Sequence, residues 1–306
     1  MKTLHLKAHD EHPILAYIWE NPSPIGWVHI LHGMAEHALR YEALADALVA
    51  AGYSVVAHNH RGHGPANDHQ LGHYANENGW QKVIADVDTV RSQCTDSRIP
   101  YYLFAHSMGS FIAQAYLATK PKPINGLILS GSKLESRLVA TAGGLVAKVE
   151  KLRVGVQNTS PLIDALSFGS FNKAFKPTRT DHDWLSRDPA EVDKYIKDPY
   201  CGFSCSAQLW IDLLSGLNQL YQKSTLDRIQ SDLPIYLFGG DQDPVGEQGK
   251  ALPKLYDAYI AAGQKDVTIK LYPQGRHEML NETNRNDVIH DIINWLSQHM
   301  EREKVS

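Results

Sequence analysis

The run Pro100-Tyr-Tyr-Leu-Phe-Ala-His-Ser-Met-Gly-Ser-Phe-Ile-Ala-Gln-Ala-Tyr116 decides how the chain is read. Tyr101 to Ala105 is short and mostly apolar, the pattern of a buried strand. From Phe111 the apolar residues move to Phe111, Ile112, Ala115 and Tyr116, a helical spacing. Between them lies Ala105-His-Ser-Met-Gly109, one residue away from the strand–Gly-x-Ser-x-Gly–helix turn known as a nucleophile elbow. A sharp turn there lifts a serine off the sheet edge and sets it beside the free N–H groups and positive dipole end of the next helix. Ser107 is the candidate nucleophile. Ala105 stands where the motif has Gly.

Outward from the elbow, short apolar runs alternate with helical ones. Residues 3–9 and 14–20 read as two extended segments around a turn at Asp10 to Pro13, an antiparallel edge. Trp27 to Leu31 is a strand that ends in His32-Gly-Met-Ala-Glu-His37. Helical spacing follows over 41–51 and stops at Gly52. Tyr53 to Ala57 is a strand entering His58-Asn-His-Arg-Gly-His-Gly64, 80–94 reads as a helix, and Ile124 to Leu129 as one more buried strand. The rhythm breaks from Ser132 to about Asp227, a stretch with Pro161, Pro177, Pro189, Pro199 and many aromatic residues. It resumes with a strand at 233–238, a helix at 248–262, a strand at 267–272 and a helix at 288–300. The pattern predicts an α/β fold with a doubly wound, mostly parallel sheet. Residues 1–131 and 228–306 form its core, and 132–227 is an inserted, mainly helical cap.

Composition narrows the function classes. Of 306 residues, 43% are hydrophobic and 21% charged, enough for a sizeable core and too apolar for a disordered chain. A net charge of −4 gives no electrostatic case for nucleic acid or an anionic membrane as partner. The three cysteines, Cys94, Cys201 and Cys205, are too few for a disulfide framework and point to a reducing compartment. The first residues lack an apolar signal segment, and no apolar run approaches the ~18 residues needed to span a bilayer. The expectation is a soluble cytoplasmic protein for which transient contact with a membrane surface stays open.

A serine needs an adjacent base, and the base needs an orienting acid. In this architecture the order along the chain is Ser, then Asp or Glu, then His, each on a loop after a strand. The strand at 235–238 runs into Gly239-Gly-Asp-Gln-Asp-Pro-Val245, and the strand at 267–272 into Pro273-Gln-Gly-Arg-His-Glu278. Asp243 and His277 fall where the acid and base belong, although Asp241 competes for the acid role and the residues alone barely separate the two. Taken singly, an Asp in a Gly-rich turn is a turn former and a His after a strand is usually structural. All three in the expected order are hard to obtain by coincidence. An oxyanion hole would take the amide of Met108, just after the serine, and that of Met34, where the flexible Gly33 lets the backbone turn inward.

The chain resembles the α/β-hydrolase superfamily, and within it the monoacylglycerol lipase/lysophospholipase-like branch that is sometimes grouped with serine aminopeptidases. The resemblance rests on His32 to His37 with Arg40-Tyr41, Arg61-Gly-His-Gly64, His106-Ser-Met-Gly109, Gly240-Asp-Gln-Asp-Pro-Val245 and Arg276-His-Glu-Met-Leu-Asn-Glu282. It implies Ser107 as nucleophile, Asp243 rather than Asp241 as acid, His277 as base, and the Met34 and Met108 amides as oxyanion donors. Two departures stand out: Ala105 in the elbow, expected to bring some strain, and Asn59 where relatives commonly carry a structural Asp. The implied activity is hydrolysis of carboxylic esters through an acyl-enzyme, without a cofactor. A monoacylglycerol or lysophospholipid comes first as substrate. Alternatives are a short-chain or xenobiotic ester, a thioester or an N-terminal peptide bond, and, from another class, a non-catalytic ligand-binding protein of this fold.

Other features are weaker. His58-x-His60-x-x-His63 has the spacing of a metallo-β-lactamase ligand run, but Gly62 occupies the place of its Asp, so no metal is expected. Cys201-x-x-x-Cys205 reads as two ordinary cysteines. The aromatic residues of the insert, among them Phe168, Phe171, Phe175, Trp184, Tyr195, Tyr200, Phe203 and Trp210, read as a satellite core, some of it lining an acyl channel.

Overall fold

The apolar runs pair into one sheet in the computed structural model, which describes residues 1–67 and 70–303. Its strands are β1 (Lys2–Lys7), β2 (Pro13–Trp19), β3 (Trp27–Leu31), β4 (Ser54–His58), β5 (Tyr101–His106), β6 (Gly126–Ser130), β7 (Ile235–Gly240) and β8 (Val267–Tyr272). They lie in the order β1-β2-β4-β3-β5-β6-β7-β8. β1 pairs antiparallel with β2, and β2 antiparallel with β4, while every later pairing is parallel. β3 to β6 are buried at every position, which is why they read as unbroken apolar runs. The edge strands β1 and β8 are more exposed and alternate.

Helices cover both faces. α1 (Glu42–Ala50) and the last helix, α10 (Arg285–Glu303), bury Leu44, Leu48, Val288, Ile292 and Leu296 on one side. α2 (Gly79–Cys94), α3 (Met108–Ala118) and α9 (Ala251–Ala261) bury Val83, Val87, Ile112, Leu252 and Leu255 on the other. Each such side chain contributes roughly 1.5–3 kcal/mol relative to exposure. This is the doubly wound α/β sheet that the alternation of runs predicts.

Between β6 and β7 the chain leaves the sheet for α4 (Arg137–Val154), α5 (Pro161–Ser167), α6 (Pro189–Lys197), α7 (Ala207–Leu220) and α8 (Lys223–Leu226). Pro161 and Pro189 break the strand–helix rhythm because they open helices: each occupies a first-turn position behind a capping Ser160 or Asp188. Ser206 caps α7 in the same way. α4 lies along α7, and α7 also reaches α2 and α3. At that contact Gly216 meets the Trp80 indole so closely that a Cβ would sit 2.2 Å from its ring. Among the described residues no helix is long and apolar enough to cross a membrane.

Candidate active site

β5 hands the chain to α3 through one residue. Ser107 has φ 50° and ψ −121°, a conformation a side-chain-bearing residue adopts only when its surroundings over-determine it. Its N–H donates to the Ser130 carbonyl at 2.9 Å. Gly109 is required by contact, since a Cβ there would lie 2.4 Å from the Leu31 carbonyl oxygen. Ala105 is fully buried in the core on one face of the sheet and its φ is not positive. The positive φ of the elbow falls on Ser107.

The loops after β7 and β8 touch back to back. A Cβ on Gly240 would overlap the Gly275 carbonyl at 1.9 Å, so only glycine allows this approach. The approach brings Ser107, His277 and Asp243 into one line. His277 Nε2 lies 3.0 Å from Ser107 Oγ, and its Nδ1 lies 3.0 Å from both Asp243 carboxylate oxygens. A carboxylate only accepts, so Nδ1 carries the proton and the Nε2 lone pair faces the serine hydroxyl. Burial disfavours the charged form of His277, but the Asp243 carboxylate and its hydrogen bond outweigh this and raise the imidazole above its ordinary range. Asp243 is likewise penalised by burial, yet His277 and N–H donors from Val245 and Gly246 hold its carboxyl below the usual value. Asp241 accepts from the Gln274 N–H at 2.7 Å and joins the two loops. It does not reach His277.

The loop after β3 is fixed from several sides. His60 N–H donates to His32 Nε2 at 3.0 Å, so His32 Nδ1–H donates to the Gly33 carbonyl at 2.7 Å. In a trans peptide the Met34 N–H then points the opposite way. The Gly33 N–H is taken by Glu36 Oε1 at 2.5 Å. Met34 and Met108 both border the cavity that contains Ser107. The left-handed residue of the loop is Ala35, φ 53°, and not Gly33. Gly33 serves by close approach, because a Cβ there would come within 2.7 Å of the Glu36 carboxylate. Tyr195 O–H and Gly202 N–H, both from the stretch between β6 and β7, donate to the Ala35 carbonyl at 3.0 and 2.9 Å. Asn59 Oδ1 accepts from Ala38 N–H at 2.9 Å, a structural role like that expected of an Asp there.

Ser107 opens into a cavity of about 300 Å³ with mainly apolar walls. Phe168, Phe171, Trp184, Tyr195 and Trp210 line it, together with Val146 and Leu214. The other aromatic residues serve elsewhere: Phe175 lies under Arg276, Tyr200 against His37, and Phe203 against His63. The stretch is also bound to the loop after β8, where Glu278 N–H donates to the Leu185 carbonyl at 2.8 Å and Arg276 donates to the Asp183 carbonyl.

His58, His60 and His63 are buried beneath the Gly33 loop among other histidines, and His58 Nδ1 already faces His29 Nε2 at 2.9 Å. The one grouping of metal-competent atoms among the described residues is His37, Asp198 and Cys201. In it His37 Nε2 and Asp198 Oδ2 are hydrogen bonded to each other at 2.8 Å, with the Arg40 cation acting on Cys201.

Residue patterns give no role to Glu36, Arg40 or Glu278 and read Tyr195 only as one of the aromatic residues of the insert, whereas the structure collects all four beside the Ser107 cavity. Arg40 and Glu278 are 238 positions apart, and nothing local to either marks the other as its partner.

A family model described as "Serine aminopeptidase, S33" matches residues 22–284. The chain is 28% identical over 301 residues to a monoglyceride lipase of Homo sapiens, a match covering 96% of this chain and 90% of that protein. It is 26% identical over 291 residues to a monoacylglycerol lipase of Mycolicibacterium smegmatis, covering 92% of each. Among solved structures it resembles a highly thermostable carboxyl esterase from Bacillus coagulans in complex with glycerol, with a TM-score of 0.88, 27% identity and 98% of each chain covered.

Proposed function

Because the chain belongs to the serine aminopeptidase S33 family of α/β-hydrolases, we propose that it hydrolyses carboxylic esters, of the monoacylglycerol or lysophospholipid type, through an acyl-enzyme on Ser107. The observation that carries this reading is the hydrogen-bonded line Asp243–His277–Ser107 opening into an apolar cavity. His277 Nε2 takes the Ser107 hydroxyl proton as Oγ attacks the ester carbonyl. Asp243 holds the imidazole in the required tautomer and stabilises the imidazolium. The Met34 and Met108 amides receive the oxyanion, a contribution of about 10²–10³ in rate for one such donor. His277 then protonates the departing alcohol, and a water it deprotonates releases the acid. Acyl transfer by this route uses protein groups and water alone.

Residues 132–227 act as the cap in this reading, supplying the walls that receive the acyl chain. An ester fits the site better than an N-terminal peptide. An aminopeptide substrate would need a free carboxylate for its ammonium group, and the acidic residues lining the cavity are already ion-paired: Glu36 and Glu278 with Arg40, and Glu135 with Lys133. α4 carries exposed Leu138, Leu145, Val149 and Leu152, and α5 carries exposed Leu162 and Leu166. Such exposed apolar residues suit transient contact with a lipid surface, where long-chain substrates reside. The test is a panel of p-nitrophenyl esters of varied length, monoacylglycerols, lysophospholipids and aminoacyl anilides. The highest kcat/KM is expected on a monoacyl lipid, and activity on the anilides alone would overturn the reading.

A further inference from the structure

The catalytic loops are joined by a buried guanidinium that touches none of the reacting atoms. Glu36 Oε1 accepts the Gly33 N–H and the Tyr41 O–H, the latter at 2.8 Å, while Oε2 accepts Arg40 Nη1 at 2.7 Å. Arg40 then turns both Nη1 and Nη2 to Glu278, at 2.5 and 2.7 Å, in a two-bonded fork. Glu278 directly follows His277. The same guanidinium lies 4.9 Å over the ring of Tyr195, whose hydroxyl holds the strained Ala35 carbonyl. The side chains of Arg40, Glu36 and Glu278 are 10%, 4% and 7% exposed, so these bonds are sheltered from water. Three segments far apart in sequence meet here: the Gly33–Glu36 loop, α6 and the loop after β8.

We propose that Arg40 is a positioning residue which, by bridging Glu36 and Glu278, sets the oxyanion-binding Met34 peptide against the His277 base. The proposal rests on the triad reading above, and it assigns Arg40 to transition-state geometry rather than to ester binding. A planar fork suits this arrangement, because an ammonium can touch two carboxylates but cannot grip Glu278 through two parallel bonds while also reaching Glu36. A misplacement of about 1 Å between oxyanion donors and base is enough to cost roughly 10²-fold in rate.

The test compares wild type with Arg40→Lys, Glu278→Gln and the double variant, with Ser107→Ala as control. Arg40→Lys keeps the buried positive charge and is expected to keep the wild-type circular dichroism and a cooperative thermal transition, shifted down by the lost hydrogen bonds. Its kcat should fall about 10- to 100-fold while KM stays within about threefold. A fluorophosphonate should still label it to one equivalent, but more slowly. Glu278→Gln supplies a second readout. His277 is faced by Asp243, His106 and Glu278, with Glu36 and Arg40 behind them. Glu278 raises the proton affinity of His277. Its neutralisation should therefore move the acid limb of kcat/KM to lower pH. The double variant should lose no more than the worse single one, because both break the same bridge.

Unchanged kcat in Arg40→Lys, a loss confined to KM, or additive losses with an unmoved acid limb would each overturn the proposal. Failure of the triad reading shows separately, as wild type that does not label or as full activity in Ser107→Ala.

Discussion

Replacing Asp243 by Asn tests the acid assignment with little change in shape. The carboxylate sits 3.0 Å from His277 Nδ1 through both oxygens, is buried, and also accepts the Val245 N–H at 2.9 Å. An Asn amide can keep the Val245 bond through its oxygen, but its NH2 group then faces Nδ1 and favours the tautomer with the proton on Nε2. In that tautomer the imidazole cannot accept the Ser107 proton. By analogy with other triads the expected loss is ~10⁴ in kcat, equivalent to about 5.4 kcal/mol of transition-state stabilisation. Asp241→Asn retains an oxygen for the Gln274 N–H and lies outside the line, so kcat should stay within about threefold. Initial rates on a p-nitrophenyl ester, with thermal melts to verify folding, give the comparison. A folded Asp241→Asn protein that loses more activity than Asp243→Asn would refute the assignment.

Further outcomes follow from the same geometry. Burial works against a charged His277, but Asp243 outweighs it and raises the proton affinity of the imidazole. The acid limb of the residual kcat/KM should therefore move to lower pH in Asp243→Asn, and a limb that stays in place would contradict the pairing. Val146→Trp narrows the apolar cavity and should depress kcat/KM for long-chain esters about tenfold or more while sparing acetyl and butyryl esters. Asp212 on α7 is lifted to about 6 by burial, and its Oδ2 has no hydrogen-bond partner among the described residues. With the folded value above the unfolded one, stability falls as pH rises through about 6. Asp212→Asn should therefore stabilise by about 1–2 kcal/mol near pH 8, after discounting for solvent screening, with the gain fading toward about pH 4. Thermal melts at both pH values check it.

Much of this structure is legible in the sequence because buried parallel strands have no polar face. β3 to β7 stand out as short apolar runs, and the helices between them keep one apolar stripe. Ser107 and Asp243 follow such runs and His277 follows the alternating edge strand β8, so their order could be read before their distances. The choice between Asp243 and Asp241 could not be made from the residues, since both occupy one turn and only the approach of Gly240 to Gly275 decides which carboxylate meets the imidazole. Gly33 illustrates the opposite difficulty. Its freedom of φ suggests a turn, whereas the fold uses its missing Cβ and places the left-handed turn at Ala35. The Arg40 bridge is invisible for a simpler reason: a guanidinium does not encode which distant carboxylates will enclose it. The walls of the cavity share that property, because the same aromatic residues could have faced inward or packed together.

The central claim is that Ser107 is a nucleophile activated by His277. Active-site labelling with a fluorophosphonate, followed by intact-mass and peptide mass spectrometry, tests it most directly. The expected result is one equivalent of adduct on the Ser107 peptide, lost together with ester hydrolysis in Ser107→Ala and slowed by orders of magnitude in His277→Ala. No adduct on wild type, or an adduct and hydrolysis that persist in folded Ser107→Ala, would contradict it.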